Sequence, residues 1–84
     1  MVKPTIHLNG TGATTLIAGY EDALAAMRVA IEKMADAGPN ARDYYVQNLA
    51  AFTQARQEHQ ARLTALRQVQ DDMMTLLGAC QDQS

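Results

Sequence analysis

Cysteine is almost absent from this chain. Cys80 is the only one among 84 residues, so no disulfide can close within a single copy. A lone thiol near the C-terminus fits a reducing compartment, and its plainest role is that of a small apolar residue, not a reactive group. Metal ligands are just as sparse: His7, His59 and Cys80 stand far apart, and no four-ligand set can be drawn from them. No apolar run approaches the roughly 20 residues of a membrane-spanning helix. Met1 to Leu8 also lacks the apolar stretch of a signal peptide. Neither sign of charge prevails, since seven bases are interspersed with nine acids for a net charge of −2. General DNA or RNA binding depends on a basic surface that displaces counterions, and no such surplus exists. The expectation is a cytoplasmic protein with no membrane partner and no cofactor, in which the Asn9-Gly10-Thr11 sequon is accidental.

Catalytic patterns are missing too. There is no spaced carboxylate pair with an evident role, no Ser-His-Asp order and no His-Glu-x-x-His, and His59 is remote from any nucleophile. A non-enzymatic role is expected. Size adds a further constraint. A chain this short buries roughly 60% of its unfolded surface, and such scaffolds need a disulfide, a metal or a partner subunit. With the first two excluded, a homo-oligomer is the expectation.

What is present is helical periodicity. Leu16, Tyr20, Ala23, Met27, Ala30 and Met34 recur at spacings of 4, 3, 4, 3 and 4, flanked by Ile17, Leu24 and Ile31. This predicts a first helix over about 14–37, with Glu21, Arg28, Glu32 and Asp36 on the far side. A threonine cap and early Glu21-Asp22 would suit the positive end of its dipole. Ala37-Gly38-Pro39 would end it, with glycine as a left-handed cap and proline as a stop. A second seam, Phe52, Arg56, His59, Leu63, Leu66, Gln70, Met73, Leu77 and Cys80, also alternates four and three, and Leu49, Val69 and Leu76 widen it. The second helix starts between Ala41 and Leu49, set at about 45, and runs to about 80. The fold class is therefore all-α: an antiparallel, coiled-coil-like two-helix hairpin over 14–84 with a loop at 38–44, preceded by a short extended segment and turn over 1–13. Helix one is ~36 Å long and helix two ~48 Å, so helix two should overshoot by about two turns. The overshoot is placed at its C-terminal end, with Met73, Met74, Leu76, Leu77 and Cys80. Residues 1–13 and another subunit are both expected to cover that end.

Three runs are candidates for function. Asn40-Ala41-Arg42-Asp43-Tyr44-Tyr45 lies between the helices, and Asn40 with Asp43 has capping-box spacing. Tyrosine rings at Tyr44 and Tyr45 can stack on a nucleobase while Arg42 grips a phosphate. On a structural reading, one tyrosine instead closes the hairpin core and Arg42 pairs with Asp43 or another acid. The turn through His7, Asn9 and Thr11 brings glycines to a helix start, where free N–H groups can cradle an anion or simply form a turn and cap. Arg56 and His59 interrupt the second seam; such groups can fix register, sit exposed, or line an anion-binding cleft. A lone hairpin holds the tyrosine loop and the glycine turn at opposite ends, ~36 Å apart. They share a pocket only in an oligomer.

The motifs HLNGT and PNARDYY, spanning His7–Thr11 and Pro39–Tyr45, resemble a group of small helical proteins of bacteriophages and prophages. The resemblance implies an accessory viral protein in the host cell cytoplasm that antagonises host defence. It would do so by soaking up a nucleotide signal or by gripping a defence protein. His7, Asn9, Arg42, Asp43, Tyr44 and Tyr45 are the residues in its motifs. The leading expectation is an oligomeric sponge for a small anionic nucleotide. In it Arg42 and Arg56 hold phosphate, Tyr44 or Tyr45 stacks on the base, and Asn9 and Thr11 add polar contacts. The alternatives are an inhibitor that binds a host defence protein through a helix face and a structural helper in phage assembly.

Overall fold

The computed structural model describes all 84 residues. It is an all-helical hairpin without strands: α1 spans Ala13–Asp36 and α2 spans Leu49–Asp82, with a short 3-10 turn, Ala41–Asp43, in the connection between them. Both seams lie where the periodicity puts them. On α1, Leu16, Ile17, Tyr20, Leu24, Met27 and Met34 are half-buried, and Ile31 takes the place of the exposed Ala30. On α2 every seam position is buried or half-buried except Arg56, which is exposed.

The connection is longer than the sequence suggested. Asn48 supplies the start of α2, its Oδ1 accepting from the Ala51 N–H at 2.7 Å, so the helix begins at Leu49 and the loop runs through 37–48, not 38–44. Asn40 caps the 3-10 turn through the Arg42 N–H at 3.1 Å, and so does not nucleate the second helix. Replacing Asn48 with alanine removes one satisfied end donor and is expected to cost about 1 kcal/mol. The check is a lower urea midpoint at unchanged slope, with Asn48→Asp retaining most of the stability.

The first helix departs from expectation at both ends. Gly12 stands at its N-cap with no side-chain bond, and Thr14 and Thr15 lie inside the helix. No acid occupies its first turn; Glu21 and Asp22 fall beyond the reach of the dipole's positive end, which fades within one turn. At the other end Ala37 N–H donates to the carbonyls of Lys33 and Met34, and Gly38 N–H to that of Ala35. No residue has positive φ, glycines included, so Gly38 is not a left-handed cap. Pro39 then stops the helix for want of an N–H.

Register is set by His59. Its Nε2 lies 2.7 Å from the Met34 carbonyl oxygen; a carbonyl only accepts, so Nε2 carries the hydrogen and donates. His59 therefore sits beside the last turn of α1, and residues 49–58 of α2 extend about 15 Å beyond it. The overshoot lies at the N-terminal end of α2, contrary to the expected C-terminal end, because the long connection climbs past α1 before turning back. At the far end Gln83 ties down the N-terminal segment: its Oε1 accepts from Ile6 N–H at 2.8 Å and its Nε2 donates to the Pro4 carbonyl at 2.9 Å. Leu8 and Asn9 are the middle of a turn closed by Gly10 N–H to the His7 carbonyl, 3.1 Å. The His7 imidazole folds so closely over Gly10 that a Cβ there would meet Nε2 at 2.7 Å.

The result is slender. The extents are 61 × 21 × 17 Å with a radius of gyration of 18.5 Å, against about 12 Å for a compact chain of this length. Only Leu63 and Cys80 are fully buried.

Candidate binding groove at the hairpin bend

Because α2 outruns α1, Ala51, Phe52 and Ala55 have no helix opposite them, and the connection folds back to take its place. Tyr44 lays its ring against Phe52, centroids 6.2 Å apart and tilted by 42°, an arrangement that aromatic quadrupoles favour. Tyr44 is half-buried by this contact, whereas Tyr45 is 72% exposed. The loop does not seal against α2. A groove of about 460 Å³ remains, into which the connection presents Tyr44 and Gln47, and α2 presents Gln54, Glu58, His59 and Arg62. Ala37 and Pro39 close it on the α1 side. That volume lies within the range of small-molecule sites.

The opposite side of the bend carries a second cavity of about 370 Å³, where Arg56, Gln60 and Arg67 meet His59, Gly38 and Leu63. The Arg56 guanidinium sits 5.6 Å from the centroid of Phe52, a cation–π pairing. Phe52 thus organises the bend, with Tyr44 and Arg56 both resting on it. His59 lines both cavities, so the polar break in the seam both fixes register and borders the clefts.

The residues singled out from the sequence separate into two groups. Tyr44, Tyr45, Arg42, Asp43 and Arg56 gather at the bend: Tyr44 lines the first groove, Arg56 the second, and Arg42 and Asp43 are exposed on the 3-10 turn beside them. His7, Asn9 and Thr11 belong to the tail end, which Gln83 anchors. The 24 residues from His59 to Gln83 put the two groups about 36 Å apart. One chain does not bring them together.

Arg62, Gln47, Gln54 and Glu58 were not anticipated. Arg62 precedes seam residue Leu63 by one position, and that adjacency was the available signal: a flank position next to a seam becomes a wall wherever the neighbouring element stands off. Nowhere do three His, Cys, Asp or Glu side chains converge as a metal site would require, and no helix is long and apolar enough to cross a membrane. No protein family, no curated protein and no solved structure matches the chain.

Proposed function

We propose that this protein is a non-catalytic binder that captures a small anionic ligand of nucleotide size at the hairpin bend, in a pocket that a second subunit completes. The groove beneath Tyr44 carries the reading. It combines an aromatic ring able to stack on a base, a guanidinium at Arg62 able to take a phosphate in bidentate fashion, and side-chain amides at Gln47 and Gln54 able to read base edges. Arg42, on the adjacent turn, adds a second cation, and the exposed ring of Tyr45 a second stacking surface. Arg56 offers a further phosphate contact from the other side of the bend, while Asp43, like Glu58, would disfavour excess negative charge and so select among ligands. Asn9, Thr11 and His7 contribute polar contacts from the tail of the second subunit.

In the setting that the HLNGT and PNARDYY motifs imply, a phage-encoded accessory protein, the ligand would be a nucleotide signal of host defence, held without being consumed. Isothermal titration of the purified protein against cyclic nucleotides and ADP-ribose-type nucleotides tests this. Saturable binding is expected for at least one of them. Arg62→Ala and Tyr44→Ala should each weaken it by roughly tenfold or more, the effect of losing a charge-assisted bond or a stacked base. Silence across the panel from a folded protein would remove the proposal. So would binding indifferent to both substitutions.

A further inference from the structure

Two columns of residues, each spaced by seven, run along the same side of the hairpin. On α1 and the residue that ends it they are Leu16, Ala23, Ala30 and Ala37; on α2, Ala55, Arg62, Val69 and Leu76. The groove at the bend shows that these columns share a side, because it is lined by Ala37 together with Ala55 and Arg62. The opposite cavity joins Ala35 to Gln60 and Arg67, the ends of columns that carry Glu21, Arg28 and Arg67. One broad side of the hairpin is therefore charged. The other bears a single charge in its eight column positions, Arg62; of the large apolar side chains left exposed, Val69 (46%) lies on this side and Met74 (57%) on the charged one.

We infer that this apolar side is the interface for a second copy of the chain, docked antiparallel, with a twofold axis crossing the helices near Ala26 and Val69. Area argues for the occupant. The chain exposes 6086 Å², whereas a self-sufficient protein of 9.2 kDa exposes about 4,900 Å². The excess, about 1,200 Å², exceeds the roughly 800 Å² that each partner buries in an interface of ordinary size. A core of two residues lacks a layer, and a copy of the same apolar side supplies it, turning two hairpins into a four-helix bundle.

Charge and length set the orientation. If the copies lay parallel, both Arg62 guanidinia would stand at one level of the apolar layer. Antiparallel, with Val69 at the axis, they separate by about 21 Å along the bundle, and each comes within about one turn of Asp72 of the second copy. The same axis places Gln83 of one chain opposite Ala55 of the other, since each lies fourteen residues from Val69. Gln83 holds the tail, and Ala55 lines the groove. Each groove is thereby closed by the N-terminal segment of the other copy. The interface does not depend on the nucleotide reading and is tested without ligand, so it can stand where that reading fails; the second subunit's share of the proposed pocket, in turn, rests on the interface.

Sedimentation equilibrium at micromolar concentration should give a dimer. Val69→Asp should weaken it by roughly 100-fold, whereas Met74→Asp, on the charged side, should leave it dimeric. A cross-link guards against Val69→Asp simply unfolding. In a Cys80→Ala background, the double variant Thr5→Cys, Ala55→Cys holds its two thiols about 42 Å apart within one chain, too far for an internal disulfide, and should oxidise to a covalent dimer. A folded monomer in the unmodified protein would overturn the interface. A dimer that resists Val69→Asp but dissociates on Met74→Asp would overturn it equally. A dimer that fails to cross-link through positions 5 and 55 would overturn its antiparallel orientation.

Discussion

Leu63→Ala is expected to lower the melting temperature by at least about 10 °C and to leave dilute protein partly unfolded. Leu63 is 5% exposed, one of two fully buried residues. Truncating a buried leucine costs about 2–5 kcal/mol, through lost transfer energy and the cavity left behind. For a domain this small each kcal/mol moves the midpoint by about 4–8 °C, and total stability is of the same order as the loss. Periodicity alone ranks Leu66 with Leu63, since both occupy the seam. The structure separates them: Leu66 is only half-buried, so Leu66→Ala should cost clearly less. Circular dichroism melts of the two variants side by side decide the matter, and equal losses would show that the register set by His59 is wrong. Concentration provides a second axis. If the apolar side is covered by another copy, raising the concentration of Leu63→Ala should restore helicity by mass action.

That contrast marks what the sequence could and could not reveal. Seam membership is a local property: a residue returning every three or four positions faces one way whatever the rest of the chain does, and so Phe52 through Cys80 were legible. Register between the helices is not local. It follows from the bond between His59 and the Met34 carbonyl and from the length of the connection, and the capping-box spacing at Asn40 points to an earlier start of α2 than the one Asn48 caps. Shifting the start of α2 to Leu49 moves the overhang from one end of the molecule to the other.

The same shift decides how much of the candidate site could be read. Tyr44 was legible because an aromatic in a loop has few places to go, and Phe52 is the ring that receives it. Arg62 and Glu58 resembled ordinary solvent-facing helix residues. They became groove walls only because α1 ends early and leaves that stretch of α2 to a loop. The capping errors on α1 share another cause. Glycine can precede a helix much as threonine can; the backbone places Gly12 at the N-cap, leaving the hydroxyls of Thr14 and Thr15 within the first turns.

The second large effect concerns Cys80. It is fully shielded, with 0% exposure, one turn before Gln83. The Gln83 amide holds the N-terminal segment through Ile6 and Pro4 and bonds back to the Ala79 carbonyl. A thiol reagent attacks only an exposed thiolate, so labelling measures how often this end opens. Native protein should label on the order of 10²–10³ times more slowly than protein in denaturant, the protection a marginally stable domain can sustain. Gln83→Ala should raise the native rate at least tenfold while the melting curve shifts little, because it frees a terminal segment without touching Leu63. Leu63→Ala should raise the rate too, but through global unfolding. Denaturant tells the two apart: local opening exposes little surface and responds weakly to urea, whereas global unfolding responds with the full slope. Were the unmodified protein to label as fast as the unfolded chain, the tail would not be seated against α2. The segment expected to reach a neighbouring groove would then have no fixed position from which to do so.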